Sequence, residues 1–435
     1  MILEDYLKHD AELYPNKTAI ICGDKSLTFG ELWNSVCKTA ETLPKGEIVV
    51  FRASQDIDFM VKYLALHING SVAVPVEKDL PDNSFNEIIE FLKPCKPTPE
   101  VADILFTTGT IGKKKGVMIP HRAIIGNGEN VIEVQGFDHD SAFITTGPMS
   151  HIASLSKIAP VLIKGATLII TEGMKNVNDF FDAMDLPFQK FGTFLVPSAI
   201  RILLQFSEDR LRKYASKIDF IETGAAAIST SDIQKLCEVL PKSRLYNSYA
   251  STETGLVCSY NFNDGKCLEG CCGRPTSRTN VIITPEGLIA CQGKTIMTGY
   301  ACDDELTNKV LIDNTIFTSD FGEIDQDGNL RILGRSDDII NTGGFKVAPT
   351  EVENVALSIP QIADCICVPA PHPVLGTALK LIYVTKAAIT KKEIALYIKS
   401  KVESFKVPFY YEEADKIQRT FNGKLDRKYY RQNPQ

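Results

Sequence analysis

Three consecutive lysines behind a threonine- and glycine-rich turn are the first residues with obvious chemical capacity: TTGTIGKKKG, residues 107–116, follows the apolar run VADILF directly. Glycines let a backbone turn sharply and approach a ligand, hydroxyls donate to phosphate oxygens, and lysines supply positive charge, so the segment has the makings of an anion cradle. Its spacing is not that of a Walker A loop, which needs G-x-x-x-x-G-K-[ST]. A solvated, lysine-rich hairpin tip has the same composition.

Three further groups stand out. In YNSYASTETG, residues 246–255, Glu253 sits beside the hydroxyls of Ser251, Thr252 and Thr254. Such a grouping suits Mg²⁺ held by a carboxylate with hydroxyls toward phosphate, although a capping box or tight turn uses the same residue types. The run TSDFGEIDQDGNLRILGRSDDIINTGGFKVAPTEVE places Asp320 at a strand end and Arg335 in a turn. An ionised acceptor and a forked donor together fix a diol such as that of ribose; taken separately, each reads equally as a surface ion-pair residue. Finally, RTFNGKLDR puts Lys424 after a glycine, in an exposed turn or a solvated basic tail.

Positioning these groups requires a scaffold, and the apolar pattern supplies one. Short β-branched runs (GEIVVFRA, SVAVPVE, VADILFTT, ATLIITE, KFGTFLVPS) alternate with longer helical patterns (DFMVKYLALHIN, HRAIIGNGENVIEV, NDFFDAMDL, AIRILLQF), the signature of an α/β fold. Pro81, Pro94, Pro97 and Pro99 surround one short helix, NEIIEFL, and predict a connection over the surface. After about residue 265 the strands shorten, and the D-x-D-G between two of them predicts a hairpin within a small antiparallel or barrel-like section. From Asp338 the order helix, strand, strand, helix is enough for a separate α+β domain, with the polar GRSDD as the junction.

Composition narrows the functional classes. The 435 residues are 44% hydrophobic and 23% charged, with Lys+Arg 47 against Asp+Glu 54 and a net charge of −7. This is a globular chain with no global electrostatic reason to bind nucleic acid, so any phosphate must be held locally. The early acids of MILEDYLKHD, and the lack of any apolar run long enough to span a membrane, lead to the expectation of a cytoplasmic protein without a membrane partner. Twelve cysteines show no C-x-x-C pair and the six histidines no H-E-x-x-H, so reduced, structural thiols and no metal spacing are expected.

Taken in order, the four groups resemble the motifs of the AMP-forming adenylating superfamily, which includes acyl- and aryl-CoA ligases, peptide-synthetase adenylation domains and luciferases. Its phosphate loop [ST]SG[ST]TGxPKG corresponds to TTGTIGKKKG, its Y-G-x-T-E to YASTE, its T-G-D to TSD, its G-R-x-D to GRSD, and its terminal P-x-T-x-x-G-K-x-x-R to QRTFNGKLDR. GCCGRP at 270–275 and GKTIMTGY at 293–300 are lesser matches. The chain departs from the pattern at Ile111, Lys114, Ala250, Ser319 and Gln418, none of which removes a charged catalytic group. The stretch between Val76 and the loop is also shorter than the family's usual length.

The resemblance implies an N-terminal domain, residues 1–335, of two stacked α/β subdomains plus a small β-barrel. It also implies a hinge at 336–337 and a small mobile α+β cap, 338–435. A carboxylate would attack the α-phosphorus of Mg·ATP to give an acyl-adenylate and pyrophosphate, and a thiol, that of coenzyme A, would then displace AMP. Lys424 would bridge the carboxylate and the ribose or α-phosphate, and Glu253 would hold Mg²⁺. Thr107, Thr108, Gly109, Thr110 and Lys115 would embrace the β- and γ-phosphates. Gly224, Ala225 and Ala226 in GAAAI, with Tyr249 and Thr252, would complete the nucleotide site, and Asp320 and Arg335 would hold the ribose. The cap would pivot at Asp337, bringing Gly343, Gly344 and Phe345 to a pantetheine tunnel, with Phe405 and Lys406 nearer the nucleotide end of coenzyme A.

By the same resemblance, His151 in PMSHIAS would lie near the carboxylate. Ile152 stands where amino-acid-activating members carry an Asp; an ammonium facing Ile is costly, which disfavours an α-amino acid and leaves an aryl or acyl acid. Two rivals remain: loading of the acyl group onto an acyl carrier protein, and a nucleotide-binding regulator without turnover.

Overall fold

Apolar runs of four to eight residues, too short for stable helices, form strands wherever a neighbouring helix covers them. The computed structural model describes residues 1–108, 114–174, 176–226, 228–266, 268, 270–420 and 425–432. In it the strand Val101–Thr108 pairs antiparallel with Lys114–Pro120 and parallel with Val72–Glu77, which pairs in turn with Ile48–Ala53. Gly299–Tyr300 adds itself to the far edge through Met118 and Val117, making a five-stranded sheet. Asp56 caps the helix Ile57–Ile68 that crosses between two of these strands, its carboxylate accepting from the Phe59 N–H at 2.9 Å.

A second sheet has eight strands, with Ala142–Thr145, Phe191–Phe194, Ile218–Gly224 and Arg244–Ser251 successively parallel at its centre. One hydrophobic cluster runs between the two sheets, joining Leu64, Leu105 and Val117 to Phe143, Leu168 and Phe220. The two α/β layers are therefore stacked on a shared core.

The later, short-stranded section is a six-stranded antiparallel sheet that includes Leu288–Gly293, Thr315–Ile324 and Leu330–Arg335. Its D-Q-D-G turn is the expected hairpin: Asp325 Oδ1 accepts from the N–H groups of Asp327 and Asn329 at 3.0 and 2.9 Å. Asp320 lies within a strand rather than at its end, and Arg335 closes a strand rather than occupying a turn. The smaller C-terminal part has its own core, which includes Ile340, Val352, Leu381 and Ile394, under the three strands Ile362–His372, Gly376–Thr385 and Tyr410–Glu413. Arg201, on the helix Pro197–Phe206, joins the two parts by pairing with Asp232 at 2.8 Å and Asp364 at 3.3 Å.

One expectation about cysteine is corrected. Cys95 and Cys302 form a disulfide, with Cα atoms 5.7 Å apart across a sequence separation of 207. Spacing along the chain could not show it, because the pair forms only when the proline-rich connection folds over the edge strand Gly299–Tyr300. No helix among the described residues is long and apolar enough to cross a membrane.

Candidate active site

The hairpin made by Val101–Thr108 and Lys114–Pro120 carries the phosphate-loop motif at its tip, with Thr107 opposite Lys115 and Thr108 opposite Lys114. Gly109 and Thr110 lie outside the described residues, as does Lys424. Lys115 Nζ stands 5.6 Å over the ring of Tyr300, and the Tyr300 hydroxyl donates to Glu253 Oε1 at 3.0 Å. Burial, then the charge of Glu253, holds the Tyr300 phenol well above its ordinary pKa, so it remains a donor. Lysine, phenol and carboxylate thus converge from three separate segments.

Glu253 owes its position to a braced turn between Arg244–Ser251 and Gly255–Asn261. The hydroxyls of Ser251 and Thr254 bond each other at 3.0 Å and each accepts from the other residue's N–H. Thr295 donates to the Thr254 carbonyl at 2.6 Å, and the Met297 N–H donates to that of Glu253 at 2.8 Å. Of the three hydroxyls around Glu253, two are therefore committed to the turn, and Thr252 is the one that faces a cavity. A single oriented carboxylate beside that hydroxyl fits Mg²⁺, which binds through one or two carboxylates and completes its shell with substrate phosphates and water.

At the other end of the same segment, the Tyr249 hydroxyl donates to Asp320 Oδ2 at 2.6 Å. Asp320 faces Arg335 across two paired strands, Oδ1 to Nε 3.2 Å. Asp320 is 16% exposed and Arg335 51%, so the acceptor is fixed while the guanidinium is free to meet a ligand. Burial, then the charge of Asp320, raises the Tyr249 pKa and keeps this phenol protonated too.

Gly224 ends a strand in register with Ser248, and a Cβ there would meet the Ser248 carbonyl oxygen at 2.8 Å, so only glycine fits. Ala225 follows with φ +66°, a left-handed conformation that costs roughly 1–2 kcal/mol for a residue with a Cβ. Ala225 and Ala226 are both exposed. A strained, small-residue loop at the end of a parallel strand is the kind of backbone found where a flat ligand packs.

His151 caps the short helix Ile152–Leu155, its carbonyl accepting from the Ser154 and Leu155 N–H groups. The adjoining cavity is lined on its apolar side by Ile119, Ala123, Ile124, Ile152 and Leu155 and reaches Thr252. Next in the chain after Ser156, which also lines the cavity, Lys157 forms an ion pair with Glu222, the side chains being 4% and 3% exposed. No sequence signal gives Lys157 or Glu222 a role, and GKTIMTGY alone gives none to Tyr300; only the pairing of Gly299–Tyr300 with residues 117 and 118 reveals what Tyr300 does.

In the C-terminal part, Gly343 and Gly344 adopt φ +55° and +89° in the turn between Ile340–Thr342 and Phe345–Val347. Phe345 stacks on Phe405 with ring centroids 4.5 Å apart, while Lys406 pairs with Glu351 at 2.6 Å and Glu403 at 2.9 Å. The structure thus brings 343–345 and 405–406 together, with the Lys406 charge already balanced by two carboxylates. Asp337 lies in an exposed turn two residues beyond Arg335, and its carbonyl accepts from Arg431 at 2.6 Å.

Comparison with known proteins gives the family and the fold. The family described as AMP-binding enzyme matches residues 90–301, and the AMP-binding enzyme C-terminal domain matches residues 351–424. A 2-succinylbenzoate--CoA ligase of Staphylococcus aureus (strain MRSA252) is 30% identical over 375 residues, covering 84% of this chain and 72% of that protein. Among solved structures, ATP-bound MatB from Rhodopseudomonas palustris superposes with a TM-score of 0.87 at 21% identity over 99% of each chain. The AMP complex of O-succinylbenzoate coenzyme A synthetase (MenE) from Bacillus subtilis superposes with a TM-score of 0.83 at 19% identity over 97% of each.

Proposed function

The chain belongs to the family of AMP-binding enzymes, and from that premise we propose that it is an AMP-forming acid–thiol ligase. It activates an aryl or acyl carboxylic acid as an acyl-adenylate and transfers the acyl group to coenzyme A. One observation carries this reading: the segment from Tyr249 to Glu253 holds Asp320 at one end and, through Tyr300, faces Lys115 at the other. A ribose acceptor and a phosphate-side cation and carboxylate are thus set on one short rigid piece, as a nucleoside triphosphate requires.

Attack of a carboxylate on a polyphosphate brings like charges together, so the chain must contribute positioning and cations at the oxygens. Lys115 and the Thr107 to Thr110 loop take the β- and γ-phosphates, Lys424 takes the oxygens at the reacting centre, and Asp320 with Arg335 fixes the ribose. Glu253, aimed by Tyr300, is the ligand for Mg²⁺, which supplies charge neutralisation on the phosphates. Gly224, Ala225 and Ala226 form the floor for the adenine, and Thr252 opens the way to the cavity beside His151 and Ile152, where the acid's tail lies. Ile152 offers no counter-ion for an α-ammonium group, and the carboxylate that the cavity lining does contain, Asp103, is already bonded to Tyr63 and His67.

For the second step the C-terminal part, residues 338–435, turns about Asp337, and the glycine pair 343–344 admits the narrow pantetheine arm. The S. aureus relative is by name a ligase of an aromatic acid and coenzyme A, which supports this choice of acid and acceptor. The test is pyrophosphate release across a panel of aryl, acyl and amino acids, with and without free coenzyme A. Release with aryl or acyl acids and consumption of the free thiol are expected. Release without any acylation of free coenzyme A would favour a carrier-protein acceptor, and no acid-dependent release would remove the ligase reading.

A further inference from the structure

A charged cluster that the acid-activating chemistry does not use lies below the same cavity. Its members come from four elements: Glu4 from the helix Leu3–Leu13, His67 from the last turn of Ile57–Ile68, Asp103 from the strand that feeds the phosphate loop, and His121 at the start of His121–Gln135. Glu4, His67 and Asp103 are 1%, 2% and 2% exposed. His67 stands between the two carboxylates, with Nδ1 2.8 Å from Glu4 Oε1 and Nε2 3.1 Å from Asp103 Oδ1, and Tyr63 donates to Asp103 Oδ2 at 3.0 Å. The His121 ring meets that of His67 edge-on at 5.2 Å.

Two polar atoms in this cluster are buried without a partner: Glu4 Oε2 and His121 Nδ1. Buried polar atoms are rarely left so, and two in one cluster are positions that a bound ion or a water would satisfy. One ligand atom from each of Glu4, His67 and His121 lies within 4.8 Å of the others. Glu4 and Asp103 also bring two carboxylates into one buried place, which a bound dication would neutralise.

We propose that Glu4, His67 and His121 form a three-ligand site for a divalent transition-metal ion of the Zn²⁺ type, with a water as the fourth ligand. Two imidazoles and one carboxylate are a nitrogen-rich donor set, which suits Zn²⁺ rather than Mg²⁺ or Ca²⁺. Asp103 then accepts from His67 Nε2–H, the outer-shell arrangement that fixes tautomer and ring orientation in carboxylate–histidine–metal sites. Binding draws the three ligands to about 2.0–2.2 Å from the ion and ties the first helix to the element that carries Thr107. In the absence of metal the same geometry holds a proton instead: burial pulls the His67 pKa down, but the charge of Glu4 and hydrogen bonds to Asp103 and Glu4 push it up to about 10.

The full chain, stripped with a chelator and dialysed, is titrated with Zn²⁺ alone and with Co²⁺ alone. One equivalent of either ion is expected to bind, Co²⁺ with the visible absorption of a low-coordinate nitrogen–oxygen site, and Zn²⁺ but not Mg²⁺ is expected to raise the thermal midpoint. His121→Ala removes a ligand whose Nδ1 has no hydrogen-bond partner among the described residues and is expected to abolish the Co²⁺ absorption in a folded chain; Glu4→Gln should do the same. Failure of the folded wild type to bind either ion overturns the proposal and leaves the protonated triad as the occupant. A thiolate-to-cobalt charge-transfer band, or a Co²⁺ spectrum unchanged in both variants, places the ion on other residues and overturns it equally.

Discussion

Tyr300 and Lys424 divide the chemistry at the scale of single residues. Tyr300→Phe deletes one hydrogen bond to the Glu253 carboxylate and leaves the ring beneath Lys115 in place. A hydrogen bond to a charged group contributes about 1.5–3 kcal/mol, so pyrophosphate exchange is expected to fall roughly ten- to hundredfold and its Mg²⁺ requirement to rise, while circular dichroism is unchanged. Exchange at the wild-type level would mean that Glu253 needs no such aim. Lys424→Ala removes the cation proposed for the reacting centre and is expected to slow adenylation on the order of 10²–10³-fold. A supplied acyl-adenylate should still become a thioester, and equal loss in both half-reactions would contradict the assignment. Lys115, Glu253, Asp320 and Arg335 are legible in the sequence because each lies in a contiguous motif whose residue types state their chemistry. Tyr300 is not, because its role exists only after a two-residue strand pairs with residues 117 and 118.

Elements explain which parts of the fold the sequence announces. The parallel strands and their helices are plain from alternating apolar runs, and the Asp325 hairpin from its turn residues, since both signals are local. The Cys95–Cys302 bridge and the Glu4–His67–His121 cluster are not, because residues far apart in the chain must first be brought together by the sheets. Asp320 illustrates the middle case: its residue type is readable, but its place inside a ten-residue strand rather than at an end depends on pairing with Arg335. The turn at 343–344 supports a prediction of its own. Among the described residues nothing lies within 4 Å of a Cβ built on Gly344, although φ is +89° there. Gly344→Leu should therefore fold at a cost of roughly 1–2 kcal/mol of backbone strain and keep pyrophosphate exchange, while coenzyme A acylation stops. Parallel loss of both activities would place the thiol path elsewhere.

At the scale of the whole molecule, the proposed reaction requires two parts that work in turn on one substrate. The Arg201–Asp364 pair joins them in the conformation seen here, and the turn holding Asp337 is the exposed connection between their separate cores. Asp337→Pro fixes φ near −65° without touching a ligand-facing group, so thioester formation is expected to fall far more than adenylation; wild-type rates for both would move the pivot away from this residue. The central claim, that the acid's own oxygen attacks the α-phosphorus before the thiol enters, is open to one direct measurement. A carboxylic acid labelled with heavy oxygen is turned over with ATP and coenzyme A, and the products are weighed by mass spectrometry. One labelled oxygen is expected in AMP, none in pyrophosphate, and the other in the acyl-coenzyme A. Label in inorganic phosphate with release of ADP, or unlabelled AMP formed alongside the thioester, would contradict it.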